Sequence, residues 1–186
     1  MVTAFTCYLL KQGYQAGEIT VLTPYLRQLF ELRAALSKVV VTYTDERDEL
    51  ALEALTLEGE KEDDTEDGKS QRATKSAAPP SALYRASAKD RVRMATIDNF
   101  QGEESTIIVI SLVRRNPQGN IGFLKMANRV NVLLSRAKHG MYLIGNPDTL
   151  RARHEGKIWP AVLDCLEARN QVFVKQGGRR VCVCVS

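Results

Sequence analysis

The chain has 186 residues, 44% of them hydrophobic, with 26 Lys and Arg against 22 Asp and Glu for a formal charge of +4. That is enough apolar material for one domain with its own core, and no apolar run approaches the ~20 residues that cross a bilayer, so no membrane partner is expected. Thr3 and Thr6 interrupt the only apolar stretch near the N-terminus, and cysteines 7, 165, 182 and 184 lack metal-ligand spacing. An intracellular compartment, cytoplasmic or nuclear, is the expectation. The charge is uneven: residues 45–67 hold 12 acidic side chains and two basic ones, Arg47 and Lys61, leaving this segment at −10 and the remainder at +14. A basic body beside an acidic segment suits a polyanionic partner, and ordinary surface charge kept for solubility accounts for it equally.

In chain order, residues 3–12 have helical spacing with Gly13 as a stop. Ile19-Thr20-Val21-Leu22-Thr23 reads as a short buried strand, and Pro24 suits the first turn of a helix carrying Leu26, Leu29, Leu32 and Leu36 on one stripe. Residues 39–44 are β-branched and strand-like. Residues 45–90 break the pattern: a short helix is expected at 49–57, and 58–81, acidic and then rich in Lys, Ser, Ala and Pro, cannot bury enough surface to offset chain entropy and reads as disordered. Strands are expected at 91–97, at 106–113 (nearly all apolar, hence central and covered on both faces) and at 141–144. Helices are expected at 122–138, 148–153 and 158–169, Trp159 anchoring the last. Strands alternating with helices predict a parallel α/β sheet with helices on both faces. One domain over residues 1–177 is expected, with 45–90 a largely disordered acidic insertion. Residues 178–186 end in a strict Val-Cys alternation of the kind an in-frame GT repeat encodes, and read as a non-native-looking or disordered tail. Cys182 and Cys184 have no following Cys or His pair to suggest zinc.

Two runs carry the chemistry. Residues 96–104 read Thr-Ile-Asp-Asn-Phe-Gln-Gly-Glu-Glu, delivered by a strand, with Gly102 permitting close backbone approach and Phe100 suited to plug the core beneath. Residues 131–137 read Asn-Val-Leu-Leu-Ser-Arg-Ala. A third, shorter run is Thr23-Pro24-Tyr25 with Gln28, directly after a strand.

In this order the runs resemble motifs V, VI and IV of superfamily 1 helicases of the up-frameshift branch, and residues 96–146 are most similar to the NFX-type zinc-finger helicases. The resemblance implies a RecA-like, P-loop NTPase-type fold and assigns roles. Arg136 is cast as the arginine finger, a planar guanidinium that stabilises the charge developing on a γ-phosphate. Glu104 matches the carboxylate that accepts from the nucleotide ribose hydroxyl, with Gln101 and Gly102 in the same loop and Tyr25 beside the adenine or in the interdomain cleft. Thr23, Ser111, Arg114, Asn116 and Asn131 are the implied nucleic-acid contacts, made to the backbone rather than the bases. The family more often has Thr where Ser135 stands; the hydroxyl is kept. For each residue a plain structural role is the alternative: a solvated turn for Glu103 and Glu104, a helix-surface ion pair for Arg136, core packing for Tyr25, a cap for Asn131 and Ser135.

The sequence contains no Gly-x-x-x-x-Gly-Lys-[Ser/Thr] phosphate loop; Gly68-Lys69-Ser70 lacks the preceding glycine. The resemblance is therefore to the second RecA-like domain alone. ATP and Mg2+ are expected only in the complete two-domain enzyme, with a first RecA-like domain in cis or trans and single-stranded RNA, or DNA, as partners. Met1 leads directly into a helix that the family places mid-protein, so a longer parent chain is expected. A non-enzymatic nucleic-acid-binding or regulatory fragment, and a DNA-repair motor, stay open as alternatives.

Overall fold

The apolar runs become the strands of one sheet. The computed structural model describes residues 1–59, 90–112, 122–151, 158–175 and 179–184. Strand β1 (Ile19–Thr23) follows helix α1 (Val2–Lys11) and a 3-10 turn (Ala16–Glu18). All five β1 residues are buried, as a strand covered on both faces requires. Helix α2 (Leu26–Leu36), β2 (Thr42–Thr44), α3 (Glu46–Gly59), β3 (Val92–Thr96) and β4 (Ser105–Ser111) come next. A second 3-10 turn (Gly122–Lys125), α4 (Ala127–Leu134), β5 (Ala137–Ile144), α5 (Pro147–Arg151), α6 (Ile158–Ala168), β6 (Val172–Lys175) and β7 (Arg179–Cys184) complete the described elements.

The strand order is β2-β3-β1-β4-β5-β7-β6. The first five strands are parallel, and β7 runs antiparallel to both β5 and β6. Alternation along each strand sorts the core into two layers. Leu22, Ala95, Ile108, Ile110, Met141 and Leu143 face α4 and α6. Val21, Val92, Met94, Ile107 and Val109 face α1, α2 and α3. Trp159 is fully buried and its Nε1 donates to the Leu124 carbonyl at 2.9 Å, so it anchors α6 to the 3-10 turn before α4. This is the α/β, RecA-like arrangement expected: a parallel five-stranded sheet with helices on both faces.

Several boundaries differ from the sequence reading, each for a local reason. Residues 39–41 stay out of β2 because the Val39 and Val40 amides bond back to the Leu36 carbonyl at 2.9 and 3.0 Å. Helix α2 begins at Leu26, not at Pro24; Tyr25 is its extended N-cap, held by its own amide to Thr23 Oγ1 at 3.3 Å. The helix expected at 122–138 is a 3-10 turn, a two-turn helix and the start of β5. The short helix expected at 49–57 forms as α3, longer at both ends (Glu46–Gly59), with Asp48 and Leu52 buried; the stretch from 60 to 89 lies outside the described residues. Residues 179–184, within the tail expected to be non-native-looking or disordered, form β7: an alternating β-branched run fits a pleat, and β5 offers it an otherwise unpaired edge.

Candidate functional site

Because β3 and β4 are parallel, the eight residues between them must travel the length of the sheet. They start at its carboxyl edge, where the Ile97 amide bonds the Thr23 carbonyl at 3.1 Å. They end at its amino edge, where the Ser105 amide bonds the Arg136 carbonyl at 3.1 Å. A loop delivered by β3 would be expected wholly at the carboxyl edge, yet of residues 98–104 only Asp98 and Asn99 lie near it. Six rises along β4 separate the two edges by ~20 Å.

Three anchors fix this connection. At the carboxyl end, the buried carboxylate of Asp48 on α3 accepts from the Thr96 amide (2.9 Å), Thr96 Oγ1 (2.8 Å) and Asn99 Nδ2 (2.6 Å). In the middle, buried Phe100 packs into the core with the Arg93 guanidinium 5.0 Å from its ring centre. At the amino end, Arg93 grips Glu103 with both terminal nitrogens, Nη2 to Oε1 at 2.8 Å and Nη1 to Oε2, and Nη2 also reaches Asp45 at 3.4 Å. The hydrogen bond from Arg93 holds the Glu103 carboxyl below its ordinary range against a smaller opposing effect of burial, and the same bond raises Arg93. Gly102 has φ +85°, a left-handed conformation that glycine adopts without penalty; a Cβ there would meet nothing within 4 Å, so the backbone alone sets the requirement.

Arg136 follows α4 at the amino edge. Its Nε donates to the Val132 carbonyl at 2.9 Å, Nη1 to the Glu103 carbonyl at 3.4 Å and Nη2 to Ser135 Oγ at 3.2 Å. These acceptors are all neutral, so the guanidinium is held in place while its charge stays available to an anion. Glu104 sits beside it, exposed, with Lys138 Nζ at 3.5 Å; both side chains are more than half exposed, so the pair is weak and exchanges partners at little cost. Ser135 caps α4 with its Oγ on the Val132 carbonyl at 3.2 Å, and Asn131 is exposed one turn earlier.

At the carboxyl edge the polar residues bond to each other. Thr23 Oγ1 donates to Gln28 Oε1 at 2.7 Å, and Gln28 Nε2 donates to Ser111 Oγ at 2.6 Å. Thr23 and Ser111 are almost fully buried, so Gln28 ties the ends of β1 and β4 together beneath the surface. Tyr25, half-buried, lies on this same edge. The candidate residues thus form two groups: Glu104, Arg136 and the adjoining Gln101–Gly102 turn toward the amino edge, and Thr23, Tyr25 and Ser111 at the carboxyl edge. Tyr25, grouped by resemblance with Glu104 around one nucleotide, stands a sheet's length from it. Arg114 and Asn116 lie outside the described residues.

Sequence reasoning passed over Arg93 and Asp48. Arg93 looks like one of many surface arginines; the signal was its place on a strand directly before the Phe-Gln-Gly-Glu-Glu run. Asp48 is one of twelve acidic residues in its segment, and nothing local marks it as buried.

Comparison with known proteins agrees with the geometry. A family described as "AAA domain" matches residues 1–148. The mouse NFX1-type zinc finger-containing protein 1 is 32% identical over 165 residues, 89% of this chain. The regulator of nonsense transcripts 1 homolog of Neurospora crassa is 47% identical over 72 residues, 39% of the chain. The ATP-dependent helicase NAM7 of Saccharomyces cerevisiae is 48% identical over 60 residues, 32% of the chain. The chain spans 6% of the length of each of these relatives. The fold and the matched residues define an AAA domain. The chain belongs to this family, in its superfamily 1, up-frameshift-like helicase branch.

Proposed function

We propose that this chain is the C-terminal motor half of an ATP-dependent helicase acting on single-stranded RNA, incomplete without a first RecA-like domain. The observation that carries the reading is the division of the candidate residues between two edges. One edge presents an arginine whose acceptors among the described residues are all neutral, beside an exposed carboxylate. The other ends two central strands at a polar seam. The relatives named for nonsense transcripts and for ATP-dependent helicase activity support RNA and ATP as the ligands.

ATP fits the amino edge chemically. Arg136 offers an uncompensated planar cation for phosphate oxygens, and Glu104 a strong acceptor for ribose hydroxyls. Bound between two halves, ATP would supply the γ-phosphate whose transfer to water drives the motor. Arg136 would stabilise the charge that grows on it, while Glu104 orients the sugar. Mg2+ would come with the ATP phosphates and be held by them together with groups of the first RecA-like domain.

Thr23 and Ser111 act by holding the carboxyl edge in shape, and Arg114 and Asn116 are assigned to phosphate contact. The test is RNA-stimulated ATPase of this chain alone and mixed with a matching first domain, with Arg136→Ala as control. Activity only in the mixture, lost in the variant, is expected. RNA binding without ATPase in every mixture would instead favour a non-enzymatic binding module.

A further inference from the structure

Three features of this molecule lie outside the roles given above. A cavity of about 470 Å3 lined by Tyr8, Tyr14 and Tyr142 opens beside the end of α1. An apolar groove between β5 and α6 is lined by Met141, Val162 and Leu166. Neither holds anything that selects an occupant. The third is the pair Arg93–Glu103, whose geometry leads directly to the candidate finger.

We propose that Arg93 is a positioning residue for the nucleotide edge: by gripping the Glu103 side chain it sets the peptide whose carbonyl holds Arg136 and whose next residue is Glu104. The inference rests on the reading of Arg136 and Glu104 as nucleotide-facing. Its steps are all short. Arg93 lies on β3, in register with Thr20 of central strand β1, so its backbone is fixed by the sheet. Its side chain is 17% exposed, clamped between the Phe100 ring and the Glu103 carboxylate. The two-pronged grip fixes Glu103 in orientation as well as position, which a lysine in the same place could not do. The Glu103 carbonyl then accepts from Arg136 Nη1 at 3.4 Å, and the next amide but one, that of Ser105, bonds back to the Arg136 carbonyl at 3.1 Å. Arg136 is therefore held on two sides by a segment whose side chains grip the sheet at this edge through the half-buried Arg93–Glu103 pair and, more weakly, through the exposed Glu104–Lys138 pair.

Arg93 also reaches Asp45 at 3.4 Å, next to α3. Asp48 on α3 holds the far end of the same connection through Thr96 and Asn99. The helix that opens the acidic segment and the residue just before it thus touch both ends of the connection. A shift of α3 would move the loop that faces the nucleotide without any contact between the two.

The test uses the intact protein carrying this domain, with Arg93→Gln, Glu103→Gln, the double variant, Arg93→Lys and Arg136→Ala, all measured for RNA-stimulated ATPase per folded molecule. A positioning role predicts a loss of about tenfold in kcat for each single variant, with KM changed much less, because a misplaced finger loses mainly transition-state contact. The double variant should lose about the same tenfold rather than about a hundredfold, since both changes break one link. Arg93→Lys should recover only part of the loss. Wild-type kcat in the singles, or multiplied losses in the double, would overturn the proposal while a dead Arg136→Ala left the functional reading standing. An active Arg136→Ala would overturn both.

Discussion

The two edges of the sheet both carry polar residues and use them in opposite ways. At the carboxyl edge Thr23, Gln28 and Ser111 satisfy one another out of water, so their chemistry goes into joining β1 to β4. At the amino edge Arg136 and Glu104 keep their charges exposed or set against neutral partners, and neighbouring groups hold them in position. A buried, mutually satisfied polar network specifies shape; a positioned but uncompensated charge is ready for a ligand. The connection 97–104, which has no helix of its own, carries the chain from the first kind of edge to the second.

Removing a residue should therefore cost activity at one edge and stability at the other. The largest effect is expected at Arg136. Arg136→Ala should lower ATPase kcat of the intact protein by about 10³-fold or more, as loss of an arginine finger does. It should cost the fold only about 0.5–1 kcal/mol for the lost cap hydrogen bonds. Chemical denaturation beside steady-state kinetics separates the two, and equal damage to both would erase the contrast between the edges.

Asp48→Ala comes next. It strips three hydrogen bonds from a carboxylate that is 1% exposed, leaves the Thr96 amide without its acceptor and should cost about 3 kcal/mol. Urea denaturation measures this, and hydrogen exchange should show faster exchange across residues 97–104. Gln28→Ala should cost about 1–3 kcal/mol by leaving two buried hydroxyls without their shared partner. Its effect on ATPase per folded molecule should be small, and a large loss of RNA affinity in this variant would show that the seam itself touches the strand.

The smallest effect is in pH. Glu103 is held below its ordinary range by Arg93, so its unfolded form takes up a proton at higher pH than its folded form. The stability from this pair should be fully present above about pH 4.3 and fall away as acid protonates the folded carboxyl. Because Glu103 is 42% exposed, solvent screens the pair and the change should be modest. Acid titration of Glu103→Gln against wild type reads it, and a larger acid loss in the variant would contradict it.

The frame of this fold was legible where a strand is buried on both faces. Ile19–Thr23 and the run inside Ser105–Ser111 are nearly continuous apolar stretches, and no other element fits them. The start of β5 was not legible. Ala137 is half-buried, Lys138 and His139 are both exposed, and the pairing with β4 shifts register between Ser105 and Ile107, so no alternation survives to be read. That hid the end of α4 and placed Arg136 inside a helix, when it stands at the junction of helix and strand. Motifs named Arg136 and Glu104 as a pair, and topology then brought them together. Motifs could not show that Tyr25 and Glu104 lie on opposite edges, because that depends on the path of residues 97–104. Nor could they find Asp48 and Arg93, whose roles come from partners 48 and 10 residues away in sequence.

The most direct test of the two-edge account is a hydrogen-exchange footprint of the intact protein with a non-hydrolysable ATP analogue and, separately, with single-stranded RNA. The account predicts that the analogue protects residues 101–105 and 135–138 at the amino edge, and that RNA protects residues 23–28 and 111–112 at the carboxyl edge. Protection of one and the same edge by both ligands would contradict it.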